Sequence, residues 1–271
     1  MTILLDTITF QKHATSGWVY SGLTDWRGQV GNKVAITQRP QAPGGFPSDP
    51  IRTSRAISFT ASYLADTAAD VEAAMDELAA VGADESVLMT VTQSDTTWRW
   101  VSVEVAAAAD HFDRSTGTAT VDLIAIDPRR YATGGWQETA PPTAGDGVVW
   151  PLVWPLVWPG GGNPGRVSLT NSGKAPSSPV FQLVGGMGSA VITCVDTGAR
   201  IGFDRAIASG QTVEIDVASR RATQGGNDVS RWLRYREWQE VPAGTTRRYQ
   251  LAVTSPSGSP LLRGKVDSAW W

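Results

Sequence analysis

The sequence is poor in the residues from which most catalytic and metal centres are built. Its 271 residues include two histidines and one cysteine. A zinc site needs three or four His, Cys or carboxylate ligands at short spacing, and His13 and His111 stand far apart in the chain. A Ser-His-Asp or Cys-His nucleophile would have to recruit one of the same two histidines. His111, between Asp110 and Asp113, reads as a solvated turn at a strand end. The single Cys194 leaves no internal disulfide to form. Long apolar runs are also missing. The longest, Val148 to Pro159, carries a proline every fourth residue and could not run as a membrane helix. Met1 to Asp6 lacks the basic start and apolar core of a signal peptide, so synthesis in the cytoplasm without membrane insertion is expected.

Cofactor motifs fail on inspection. Gly173-Lys174 is not a phosphate loop, because Ser168 stands where the first glycine belongs and Ala175 follows the lysine. Glu214 and Asp216 share one face of a predicted strand and invite comparison with paired glycosidase carboxylates. Val213, Ile215 and Val217 on the other face explain them more simply, as the polar side of an outer strand. No catalytic, cofactor-binding or metal residue is assigned, and the chain is not expected to be an enzyme.

What is present points to architecture. Twelve tryptophans, 28 glycines and 16 prolines suit many short strands, tight turns and aromatic plugs. The formal net charge is −3, yet residues 1 to 133 carry ten Lys/Arg against sixteen Asp/Glu, and the remainder thirteen against ten. That is not the concentrated basic face of a nucleic-acid binder.

Along the chain, residues 2 to 10 alternate weakly and Gly17 to Leu23 reads as a short strand. Lys33 to Gln38 alternates cleanly, as a half-buried strand should. Arg39 to Pro50, with four prolines and two glycines, is an extended loop that cannot be a central strand. Arg55 to Tyr63 alternates again. One helix follows: Thr67 and Asp70 form a capping box, Val71, Ala74, Met75 and Leu78 make the apolar stripe, and Gly82 stops it. Ser86 to Gln93, Thr97 to Val105 and Gly117 to Ile126 are three more strands, and a boundary is expected near residue 133. Val149-Trp150-Pro151-Leu152 then repeats twice, through Trp154 and Trp158, in a pattern that forbids both helix and central strand. From Arg166 onward eight short strands, with a tight turn at Asp196-Thr197-Gly198, suggest a sandwich.

The order of several segments resembles the distal tail proteins of long, non-contractile-tailed bacteriophages, a phage tail or minor tail protein family. Asp127-Pro128-Arg129-Arg130-Tyr131 is similar to the family's boundary motif. The Trp-Pro-Leu repeat looks like the aromatic-Pro-Leu repeats of the versions from phages of actinobacteria. Asn171-Ser172-Gly173-Lys174-Ala175-Pro176 followed by Pro179 resembles the family's entry to its second domain. Thr197-Gly198 with Ile201 and Phe203, Val213 to Asp216 with Arg220-Arg221, and Trp238 with Pro242-Ala243-Gly244 complete the likeness. Residues 1 to 65 match only in general pattern.

The resemblance implies a mainly β protein. Residues 1–133 would form a tail-tube-like β-sandwich with one flanking α-helix, closing a ring of six copies, and residues 134–271 a galectin-like β-sandwich. The ring would sit in the virion at the tail tip. It would join the tail tube protein to the tail-tip hub or baseplate and surround the tape measure protein and then DNA, which passes without specific binding. Receptor-binding or fibre proteins are further partners. An acidic lumen, supplied by the excess in residues 1–133, would let DNA slide. Candidate subunit or partner contacts are Pro43, Gly44, Gly45, Phe46 and Pro47 in the loop and Trp150, Trp154 and Trp158 in the repeat. The alternatives are another tube or hub protein, or a carbohydrate-binding module stacking cell-wall glycans on Trp232, Trp238, Trp270 or Trp271.

Overall fold

The computed structural model describes residues 1–94, 97–112, 116–145, 154 and 161–271. The chain is mainly β, with a single α-helix among the described residues, and divides into two compact units. The first holds Met1–Ala132 together with Trp271, the second Thr133–Trp270.

In the first unit β1 (Thr2–Leu5) and β2 (Ile8–Gln11) form a hairpin across Asp6 and Thr7, and β3 is Gly17–Thr24. Four short strands follow, β4 (Asn32–Lys33), β5 (Ile36–Gln38), β6 (Gly45–Pro47) and β7 (Ile51–Arg52). Then come β8 (Arg55–Leu64), α1 (Ala68–Ala80), β9 (Val87–Ser94), β10 (Thr97–Phe112), β11 (Thr116–Ala125) and β12 (Arg130–Ala132). The main sheet runs β11-β8-β3-β2-β1-β9-β10-β12, and a further β10–β11 pairing closes it. Closure works because β10 is long. Its first half pairs with β9, Trp98 opposite Thr92 through Val103 opposite Val87, and its second half pairs with β11, with a bulge between Val105 and Ala107. A bulge bends and twists a strand, which lets one strand serve two walls. The expected sandwich is therefore a sheet closed on itself.

Alternation puts Ile3, Leu5, Phe10, Ile57, Phe59, Met89, Val101, Val103, Val121 and Leu123 inside. The helix lays Val71, Ala74, Met75 and Leu78 onto this core. The Thr67 hydroxyl caps it by accepting from the Asp70 amide at 3.2 Å, and Gly82 leaves it at φ +69°. Gly117 of β11 lies under the helix, where a Cβ would come within 2.9 Å of Val71 and Met75 side-chain atoms.

The strand expected over Lys33 to Gln38 is not half-buried. It is broken into β4 and β5, and every residue from 31 to 44 is exposed. Nor is His111 in a turn. It pairs with Thr118 inside the second half of β10, with its side chain exposed.

The second unit contains β13 (Gln137–Thr139), β14 (Arg166–Asn171), β15 (Val180–Val184), β16 (Ser189–Cys194), β17 (Arg200–Phe203) and β18 (Thr212–Asp216). It continues with β19 (Arg221–Gln224), β20 (Asn227–Asp228), β21 (Leu233–Arg234), β22 (Thr245–Thr254), β23 (Leu261–Lys265) and β24 (Ser268–Trp270). One sheet is ordered β13-β23-β15-β18-β19-β20, the other β14-β22-β16-β17-β21. They share one core. Phe181 of the first meets Tyr249 of the second at 4.8 Å between ring centroids, and a Cβ on Gly264 would lie 3.3 Å from Val167 and Leu169. The segment expected as a strand over Arg231 to Tyr235 begins instead as a 3-10 turn, Ser230–Trp232.

Candidate assembly surfaces

The Pro/Gly loop singled out in the sequence is the tip of a two-stranded arm. At its base β4 pairs with β7, and further out β5 pairs with β6, Ile36 opposite Pro47 and Gln38 opposite Gly45. Arg39 N donates to Gly44 O at 3.1 Å and closes the tip. Pro47 fits because an edge strand can spare its N–H. Gly45 is required by contact: a Cβ there would approach Ile36 Cγ2 to 2.5 Å and Thr37 O to 2.9 Å. The side chains have no core to enter. Phe46 is 57% exposed, Ile36 65% and Ile51 67%, and the Arg39 guanidinium lies 4.8 Å from the Phe46 ring. An isolated two-stranded ribbon is marginal in water, and Ile36, Phe46 and Ile51 remain exposed along this arm.

Of the repeat tryptophans, Trp154 is 81% exposed; Trp150 and Trp158 lie outside the described residues. The aromatic residues proposed for glycan stacking are placed differently from one another. Trp232 has Arg205 and Arg231 at 5.6 and 5.3 Å from its ring. Trp238 packs on the core of the second unit. Trp270 and Trp271 are half-buried, and Arg52 lies over the Trp271 ring.

A cationic end of the first unit was missed in the sequence, because its residues are scattered through the chain. Arg55 is 3% exposed. Its Nε donates to Pro128 O, and one Nη donates to Asp25 O, Trp26 O and Gly28 O at 2.6 to 3.3 Å. Arg130 lies 5.4 Å from the Trp26 ring. Burial, and then the charges of Arg55, Arg99 and Arg27, pull the Arg130 guanidinium down to about 10. Arg27 donates to Gln93 Oε1.

The Asn171 motif has a structural explanation. Asn171 is fully buried; its Nδ2 donates to Ala175 O and Val241 O, and its Oδ1 accepts from Gly173 N and Ala269 N. Gly173 touches backbone so closely that a Cβ would sit 1.8 Å from Ala269 O.

The residues considered for chemistry have structural places. Val213 and Ile215 are buried; Glu214 accepts from Gln182 Nε2, and Asp216 accepts from the amides of Ala218 and Ser219. Cys194 is buried and His13 is exposed. Among the described residues no group of three or more His, Cys, Asp or Glu could hold a metal ion, and no helix is long and apolar enough to cross a membrane.

No protein-family model and no curated protein matches the chain. Three solved structures share its fold. Two come from the baseplate of phage P2 in its activated conformation, one with Ca and one with Sr. The first is 11% identical, covering 93% of this chain and 90% of that one with a TM-score of 0.57. The second is 11% identical, with 97% of each chain covered and a TM-score of 0.58. The third is the Dit protein of phage SPP1, described as a paradigm of the hub adsorption apparatus in phages that infect Gram-positive bacteria. It is 12% identical, and the likeness covers 100% of this chain and 99% of that one at a TM-score of 0.68, so the chain has the fold of that protein from end to end.

Proposed function

We propose that the chain is a structural subunit of a bacteriophage tail tip, a distal tail protein, and that it acts by assembly and not by catalysis. The observation that carries this reading is the full-length likeness to the SPP1 Dit protein, across both units in the same order. The P2 baseplate chains support it independently. The actinobacterial type of the Trp-Pro-Leu repeat belongs to the same reading, as does a galectin-like second unit.

The subunit closes a ring, of six copies in the reading favoured here. That ring joins the tail tube to the tail-tip hub and leaves a passage for the tape measure protein and DNA. Identical copies packed head to tail close when their rotation closes, and a permanent contact of this kind buries on the order of 2,000 Å². The arm supports such a contact. Reaching about 30 Å at the usual rise per residue, with Ile36, Phe46 and Ile51 exposed, it offers Pro43 to Pro47 to a neighbouring copy or to the tube. Trp154 is a second exposed anchor. The glycan-binding reading draws less support, because both arginines at Trp232 compete with a sugar for its ring.

Negative-stain electron microscopy with mass photometry on the purified chain tests the proposal. Rings with a central hole are expected, and removal of Gln41 to Ser48 should weaken them. Strictly monomeric particles at micromolar concentration, alone and with tube protein, would refute it.

A further inference from the structure

The second unit carries an arginine-rich edge that its core does not use. The run Arg231-Trp232-Leu233-Arg234-Tyr235-Arg236 passes through β21, the last strand of its sheet, and only Leu233 in it is buried. Trp232 is 36% exposed and Tyr235 40%. Each ring has two guanidiniums over it. Arg205 and Arg231 lie 5.6 and 5.3 Å from the centre of Trp232, and Arg200 and Arg234 lie 4.2 and 5.4 Å from that of Tyr235.

The local backbone holds this group in place. Tyr235 sits at φ +50°, a conformation that residues with a side chain rarely adopt. The next turn is tied to β17, where the Glu237 amide donates to Arg200 O at 3.1 Å and the Arg200 amide donates to Glu237 Oε2 at 2.8 Å. Gly202 leaves room for the ring, since a Cβ there would come within 3.1 Å of Tyr235 Cδ2.

The charge at this edge is unbalanced. Asp204 pairs with Arg234 at 3.0 Å and Glu237 with Arg200 at 3.8 Å. Asp228 accepts from the Ser230 amide and also feels the charge of Arg221. Arg236 donates to Leu233 O and Ser230 O, so its charge meets carbonyls and not a carboxylate. Arg205 and Arg231 enter none of the ion pairs among the described residues. The surplus is therefore positive and gathers at Trp232.

A guanidinium presents a planar fork of N–H donors that matches the paired oxygens of a phosphate. Neutral sugars and nucleobases would need open ring faces on which to stack, and here arginines lie over both rings. The rings then act as supports that hold the guanidiniums, whose N–H edges are left for an anion. Cations spread over residues 200, 205, 231 and 234 suit a string of anions better than a single one. A flexible string can also pass the fixed carboxylates of Asp204 and Glu237, which a rigid acidic protein surface would meet head on.

We infer that this edge of the second unit binds a flexible phosphodiester polymer without bases, a polyol-phosphate chain of a cell surface. The inference rests on the tail-tip reading for the source of the chain, and not on ring closure.

Titration calorimetry of the full-length chain with poly(glycerol phosphate) tests it. Binding is expected at low salt and should weaken about tenfold or more at high salt. Arg205→Ala with Arg231→Ala, both at exposed sites, should weaken it about tenfold. Arg205→Lys with Arg231→Lys keeps the charge and loses the fork, and should cost about threefold. Arg166→Ala with Arg263→Ala makes the same charge change on other strands of the unit and should stay within about twofold of the unaltered chain. If the first alanine pair lowers the melting midpoint, the lysine pair decides in its place.

Absence of binding would overturn the inference, as would equal losses in the two alanine pairs. Poly-L-glutamate or oligothymidylate of matched charge binding as tightly as poly(glycerol phosphate) would overturn it too, the first in favour of an acidic protein and the second in favour of nucleic acid. None of these results touches the ring reading, which is judged on particle images. Monomeric particles that still bind the polymer would count against the ring and support this site.

Discussion

Replacing Asn171 by alanine should destabilise the second unit far more than its single side chain suggests. The amide makes four hydrogen bonds, at 2.8, 3.0, 3.0 and 3.2 Å, to Ala175, Val241, Gly173 and Ala269. These partners come from three separate stretches of chain, and the site is fully buried, so water is poorly placed to replace the lost groups. At a net value of about 1 kcal/mol per bond the loss is about 4 kcal/mol, more if the stranded carbonyls and amides stay dry. A unit of this size shifts its midpoint by roughly 3–5 °C per kcal/mol, so the expected drop is about 12–20 °C. Scanning calorimetry on the whole chain is the assay, because two units need not melt together. The transition of the second unit should fall and that of the first should stay. A drop below about 4 °C, equivalent to roughly 1 kcal/mol, would refute the clamp. Gly173→Ala should be at least as damaging, since its Cβ has no room beside Ala269 O.

Smaller perturbations test other parts of the fold. Thr67→Ala removes the acceptor for the Asp70 amide and should cost the first unit about 1 kcal/mol in urea unfolding. Leu78→Ala opens a cavity under α1 and should cost about 2–5 kcal/mol by the same measurement. Hydrogen bonds from Arg248 hold the Asp196 carboxyl below its ordinary range. Its stabilising contribution is therefore complete above the unfolded carboxylate value, near 3.9, and lost as pH falls through the lower folded value. Asp196→Asn should flatten the acid side of a plot of melting midpoint against pH, and an unchanged acid limb would show the pair to be idle.

Where one face of an element is covered by the same unit, its residues announced it. Thr67, the stripe from Val71 to Leu78 and Gly82 were enough to place α1 to within a residue or two, and Val213 to Val217 told its buried face from its polar one. Lys33 to Gln38 also alternates, but its apolar side chains have nothing from their own unit above them. Alternation alone therefore does not tell a buried face from an exposed one. The second half of β10 was missed for the opposite reason. Ala106 to Ala109 has no contrast between faces, and the strand there is fixed by pairing with β11. The arginine end was invisible because Arg27, Arg55, Arg99 and Arg130 belong to four separate segments that only the closed sheet brings together.

Closure of the first sheet also fixes an order of events in the life of the chain. Thr2 pairs with Thr92, and Arg55 with Ala125, so the barrel cannot close until β11 has been made. Contacts so distant in sequence make for slow folding. On a ribosome adding about 5–20 residues each second, β11 nevertheless emerges while the second unit is still being synthesised. The barrel can thus close several seconds before the second unit is complete. The arm stands outside that closure, held only by its own two pairs of short strands.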